Sequence, residues 1–311
     1  MSNTTPPSLD PNALMRFRAQ QSLERTAWLH GEVARRMEQR LDWFKEKPKS
    51  WIDWEPVNGG TKAHSRIQTR YPGADALIVE FNERRLLEAK KVLKPNWLKQ
   101  CLRLLQHGNW NLQTYSIARA HASAQVDFLW ANMLLHLAPK PTELIKEWHR
   151  SLRVGGWVMF SCLGPDTSIQ LREIYEKLGW GAPSHEFTDM HDWGDMLVEA
   201  GFADPVMDME RITLTYSSPD ALIKDLRTLG RNFNNARFKA LKGRGWFENL
   251  KTQLIHLSNS KNTVPGVDST LKIPLTFEII YGHAFKVAPK IKVTGSASFS
   301  EEDMRSMLKG S

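Results

Sequence analysis

Residues 126–167 read VDFLWANMLLHLAPKPTELIKEWHRSLRVGGWVMFSCLGPDT, and the order of apolar and breaking residues in them predicts strand, loop, helix, turn and strand. Residues 126–131 form a short apolar run that stops at Asn132. After the Pro139/Pro141 break, Leu144, Ile145, Trp148 and Leu152 recur at helical spacing. Gly155 and Gly156 are read as the stop of that helix, and residues 157–162 as a second apolar strand. The stretch then makes one right-handed crossover between parallel strands. The expectation is a doubly wound α/β sheet. Ligands of such a sheet sit beyond the carboxyl ends of its strands, here near Asn132 and residues 163–167.

The whole chain fits that expectation. Its 311 residues can hold one α/β domain of ordinary size with a substantial insertion. A hydrophobic content of 41% and a charged content of 24% are those of a soluble globular protein. No run approaches the length of a membrane-spanning helix. The first thirteen residues are polar, contain proline and lack the apolar core of a signal peptide, so a cytoplasmic protein is expected. Cys101 and Cys162 suit a reducing compartment and cannot make a cysteine-based metal site, so no metal is expected. The formal charge of +8 is uneven: between residues 89 and 126 there is no Asp or Glu, while Lys90, Lys91, Lys94, Lys99, Arg103 and Arg119 are basic. This is either a face for an acidic partner, such as a carrier protein or nucleic acid, or a solvated helix face.

Along the chain, residues 14–44 are read as helix, with Leu29, Val33, Met37, Leu41 and Phe44 on one apolar face. Residues 51–54 are the first strand, and Asn58, Gly59 and Gly60 lie in its turn into a helix near Thr61. The second strand, residues 76–79, ends at Glu80, where an acid can accept hydrogen bonds from both hydroxyls of a ribose. A helix over 83–93, a third strand within 112–118, helices over 166–178 and 190–200, a sixth strand within 205–216 and a seventh over 275–285 follow. The connection 217–274, with helical runs at 219–229 and 245–257, is too long for a plain loop and is read as a substrate-covering insertion. Residues 1–13 are expected to be disordered, 14–286 to form the domain, and 287–311 to be a flexible tail.

Three segments carry a resemblance: Asp127-Phe128 through Asn132, Leu152-Arg153-Val154-Gly155-Gly156, and Gly164-Pro165-Asp166-Thr167. Together they resemble the second half of a class I S-adenosylmethionine-dependent methyltransferase. Gly164-Pro165-Asp166-Thr167 followed by Leu171-Arg172, with the run LTFEIIYGH at 275–283, is similar to the malonyl-acyl-carrier-protein O-methyltransferases of biotin synthesis, over residues 14–286. The resemblance implies a Rossmann-like seven-stranded sheet and S-adenosylmethionine as cofactor, held by Asn58, Gly59, Gly60, Glu80 and Asn132. It implies an acidic acyl carrier protein as partner and the free malonyl carboxylate as methyl acceptor. Arg172 is the candidate for orienting that carboxylate, and Tyr281 and His283 are further pocket candidates. A malonyl carboxylate, with a reference pKa of about 4, is already a nucleophile at neutral pH, so no catalytic base is assigned.

The chain also departs from that family. Leu23 stands where a lid tyrosine is usual, Glu55 and Val57 stand at glycine positions of the first turn, and residues 119–124 contain no Asp for an adenine amino group. Pro56 removes a backbone donor. These departures motivate a second reading, a methyltransferase-fold binding or assembly factor that has lost methyl transfer. The positive charge suggests a third, a nucleic-acid methyltransferase, against which Asn132-Met133-Leu134 lacks the Asn-Pro-Pro-aromatic element of exocyclic-amine methylation.

Overall fold

The computed structural model describes residues 9–20, 27–93, 113–116, 125–238, 240, 242–259 and 271–288. Among these, seven strands form one sheet: β1 (Ser50–Trp54), β2 (Asp75–Glu80), β3 (Gln113–Ser116), β4 (Val126–Ala131), β5 (Leu152–Leu163), β6 (Phe202–Tyr216) and β7 (Ile273–Lys286). Their order is β3-β2-β1-β4-β5-β7-β6. The pairs among β1 to β5 are parallel, and β7 runs antiparallel between β5 and β6. The strand order reverses direction between β1 and β4, which makes the crevice beyond their carboxyl ends the place for a ligand.

Residues of β4 are buried along its whole length, as a parallel strand covered on both faces must be. Alternation sorts its side chains between two cores. Trp51, Phe128 and Trp130 pack with Leu29, Val33 and Met37 of α2 (Trp28–Gln39) and Ile67 of α4 (Thr61–Arg70). Ile52, Trp54 and Leu129 pack with Ile145 and Trp148 of α6 (Pro141–Ser151) and with Trp193 and Leu197 of α8 (Met190–Glu199). The remaining helices are α1 (Pro11–Gln20), α3 (Pro56–Gly59), α5 (Glu83–Val92), α7 (Ile169–Lys177), α9 (Pro219–Leu229) and α10 (Arg244–Asn259). No helix of the described residues is long and apolar enough to cross a membrane.

The expected elements are present with four local corrections. Helix α6 ends at Ser151 and Leu152 is already extended, so Gly155 and Gly156 do not stop the helix; they lie inside β5. A Cβ on Gly156 would come within 2.8 Å of the Asp127 carbonyl oxygen, so this glycine permits the close approach of β4 and β5. The single helix read over 14–44 is divided into α1, α2 and a short 3₁₀ turn, Arg40–Trp43. Residues 9–13, expected within a disordered start, are held in place. Leu9 bridges Asn234, Asp10 accepts the Asn12 and Ala13 N–H groups, and Leu9, Leu14 and Phe17 pack on Phe233 and Leu137. Helix α7 begins at Ile169 because Ser168, with φ 58°, donates its N–H to the Thr276 carbonyl of β7 at 2.7 Å.

Candidate active site

The turn after β1 is closed by its own side chains. Glu55 adopts the left-handed conformation, φ 55° and ψ 58°, a backbone geometry natural to the glycine it replaces. Residues Pro56–Gly59 then make one helical turn, with the Gly59 N–H donating to the Glu55 carbonyl at 2.9 Å. The loop after β4 seals this turn from the other side. Asn132 Nδ2 donates to the carbonyls of Gly59 at 2.6 Å and His30 at 2.9 Å, and its Oδ1 accepts the Ser161 hydroxyl at 2.9 Å. Asn58 Nδ2 donates to the Met133 carbonyl at 2.9 Å, and His30 Nδ1, 2.7 Å from the Asn58 carbonyl, donates to it. Burial holds the His30 pKa down and keeps that ring neutral.

Beside the turn lies a cluster of four charged side chains. Arg18, Glu55, Glu80 and Arg85 are 5%, 3%, 0% and 2% exposed, so all four are inside the protein. Arg18 Nη1 is 3.6 Å from Glu55 Oε1, Arg85 Nη1 is 3.5 Å from Glu55 Oε2, and Arg85 Nε is 3.9 Å from Glu80 Oε2. Glu80 Oε1 accepts the Val57 N–H at 2.7 Å and Oε2 accepts the Phe81 N–H at 3.3 Å. Burial pushes the Glu80 carboxyl up to about 8, outweighing the pull of Arg85 toward the ionised form. Arg18 also donates to the Leu137 carbonyl at 3.3 Å and lies over the Phe81 ring, 4.7 Å from its centroid.

A cavity of about 300 Å³ opens on the other side of His136 and Leu137. Its floor is Leu163, Thr167, Ser168 and Phe277, at the mouth of β5 and β7; its walls include Leu171 and Tyr175 of α7, Leu222 and Leu226 of α9, and Trp246 and Leu250 of α10. The lining is mainly apolar. Burial drives the pKa of His136 well below its usual value and that of His185 to about 4, so both rings are neutral at pH 7. The cations on the lining are Arg227 and Arg231.

A methyltransferase-domain family model matches residues 93–160. The chain is 32% identical to the malonyl-acyl-carrier-protein O-methyltransferase of Gallionella capsiferriformans over 284 residues, 90% of this chain and 91% of that protein. It is 31% identical to the protein of the same name from Laribacter hongkongensis, over 88% of each chain. The chain belongs to the malonyl-acyl-carrier-protein O-methyltransferase family. Among solved structures, the YcgJ protein of Bacillus subtilis is similar at 13% identity and a TM-score of 0.49, over 81% of this chain and 98% of that one.

The two motifs that carry the likeness to these malonyl-acyl-carrier-protein methyltransferases meet in space. The Asp166 N–H donates to Glu278 Oε2 at 2.5 Å, the Gly164 N–H to the Glu278 carbonyl at 2.9 Å, and the Thr167 hydroxyl to the same carbonyl at 3.2 Å. The sequence-predicted residues divide accordingly. Asn58, Gly59, Glu80 and Asn132 come together at the β1 turn, in the hydrogen bonds just given, and the Gly60 N–H donates to the Pro56 carbonyl at 2.8 Å. Arg172 does not line the cavity; its guanidinium donates to the Pro165 carbonyl. Tyr281 and His283 lie away from the mouth, because antiparallel β7 pairs Ile279 with Leu163 and carries Tyr281 and His283 back toward Ser161 and Met159. Tyr281 donates to Glu210, and His283 packs on Phe44. Leu23, residues 119–124 and most of the basic stretch 89–126 lie outside the described residues.

For S-adenosylmethionine, residue type and space give different answers. The acid at the end of β2 and the Asn58–Gly60 turn are of the expected type and place. Both Glu80 oxygens also accept backbone N–H groups, and Arg18 and Glu55 lie between the ends of β1, β2 and β4. Among the described residues, Arg18 stands between the groups that would hold the cofactor.

Proposed function

We propose that this chain methylates the free carboxylate of a malonyl group carried as a thioester on an acidic acyl carrier protein, with S-adenosylmethionine as methyl donor, as a step of biotin synthesis. The observation that carries this reading is the match to relatives of that name over about nine tenths of both chains. The cofactor would supply an electrophilic methyl group. The chain's own residues supply position and dryness. The apolar walls of the cavity exclude water from a nucleophile that needs no base, so catalysis rests on alignment. Neutral His136 and His185 put no competing charge beside it. Arg227 and Arg231 offer an anion guanidinium groups at the lining, and α9 and α10, within the insertion 217–274, cover the substrate. Purified protein, labelled S-adenosylmethionine and malonyl carrier protein should yield label in a base-labile ester; no label at high enzyme concentration would remove the proposal.

The self-bonded turn favours one second reading, a binding or assembly factor that engages the carrier without methyl transfer. Its motive is the same closed set, Glu55, Val57, Asn58, Glu80 and Asn132, each held by neighbours. Calorimetric titration with S-adenosylmethionine separates the two: binding of the cofactor removes the second reading.

A further inference from the structure

Arg18 is buried in a crevice where a nucleotide would lie. Its side chain joins three points: Glu55 after β1, the Phe81 ring after β2, and the Leu137 carbonyl after β4. β1 and β4 flank the reversal of strand order and β2 is the neighbour of β1, so the three points border the general ligand crevice of a doubly wound sheet. The chemistry also matches. A guanidinium is planar and stacks on an aromatic face as a purine does, and its N–H groups point at carboxylates as ribose hydroxyls do. An arginine taken this far from water is held only where its charge is answered, here by Glu55 at 3.6 Å.

We infer that Arg18 is a built-in occupant of the adenosine place, so that α1 and the cofactor exclude one another. The inference rests on the reading that S-adenosylmethionine binds at this crevice. Binding then requires α1 to withdraw Arg18, and the cost of that step lowers the apparent affinity of the wild-type chain. Three contacts of α1 and the residue before it hold the plug in place: Leu14 and Phe17 pack on Leu137 and Phe233, and Asp10 pairs with Arg237 at 2.6 Å.

The test is calorimetric titration of the full chain with S-adenosylmethionine, for the wild type, Arg18→Ala, and Arg18→Ala/Glu55→Gln, which removes one charge of each sign. Both variants should bind roughly tenfold or more tightly than the wild type. Equal affinities in folded variants overturn the inference. A second measurement needs no variant: amide hydrogen exchange in residues 11–20 of the wild type should quicken at saturating S-adenosylmethionine, and binding with unchanged or slower exchange there overturns it as well. Label transfer to malonyl carrier protein is assayed separately. A variant that gains binding without transferring label keeps the inference and removes the proposed reaction.

Discussion

The Glu278 carboxylate on β7 accepts the Asp166 N–H at 2.5 Å, and a Cβ on Gly164 would come within 2.8 Å of the same carboxyl carbon. Asp166 and Glu278 come from the two family motifs, 112 residues apart in the chain, and lie beside the cavity floor, where β5 ends and β7 begins. Glu278 is buried. Glu278→Ala should therefore leave the Asp166 N–H without its partner and cost about 1–3 kcal/mol. Urea denaturation followed by tryptophan fluorescence reads this as a lower midpoint; an unchanged midpoint would show the contact to be dispensable.

Glu55 sets two effects against each other. Its left-handed backbone favours glycine, and Glu55→Gly would relieve about 1–2 kcal/mol of strain. The same change removes the carboxylate that both Arg18 and Arg85 approach, and breaking a buried ion pair costs about 3–5 kcal/mol. Loss of the ion pairs outweighs the relieved strain, so the variant should be less stable although it restores the family's residue. Glu55→Gly that raises the denaturation midpoint would mean the cluster contributes little.

The contrast between Glu80 and Glu55 shows how far the sequence could be read. Glu80 stands at the end of an apolar run of strand length, so its place at a strand end followed from the pattern alone. Glu55 and Arg18 had no such signal: an arginine on an amphipathic helix and an acid in a loop look like solvated residues. They become a buried pair only through a tertiary contact, for which the first hint was the replacement of a glycine. The strands themselves were legible because proline and glycine bound their apolar runs. The direction of β7 was not, since alternation has the same period whichever way a strand runs, and so Tyr281 and His283 were assigned to the wrong end of it for a pocket at the mouth.

Stability should carry the signature of Glu80. Its folded-state pKa is raised from 4.5 to about 8, so between those values the folded chain holds a proton that the unfolded chain releases. The stability this group contributes is full below pH 4.5 and is lost as pH rises through 8. Arg85, Glu55 and Arg18 are the charged groups around this carboxyl. Glu80→Gln keeps the shape without the proton, and its denaturation midpoint should fall less than that of the wild type between about pH 5 and 8. Parallel profiles would place the titration elsewhere.

Arg227 and Arg231 are the lining's cations, and they bear on the carrier rather than on the chemistry. Arg231 donates to the carbonyls of Arg227 and Gly230, the latter at 2.8 Å, so its guanidinium is fixed to the end of α9. Burial and the neighbouring Arg227 lower its pKa, a sign that like charges are crowded where an anion would relieve them. Arg227 is exposed and can meet an acidic partner before any substrate enters the cavity. For the proposed reaction, Arg227→Glu should raise KM for malonyl carrier protein roughly tenfold at low salt, a difference of about 1.4 kcal/mol, while kcat stays within about twofold. Added salt should raise the wild-type KM and narrow the gap between the two enzymes, because the attraction is screened over about 10 Å at 0.1 M. A drop in kcat with KM unchanged would instead put Arg227 at the reacting carboxylate.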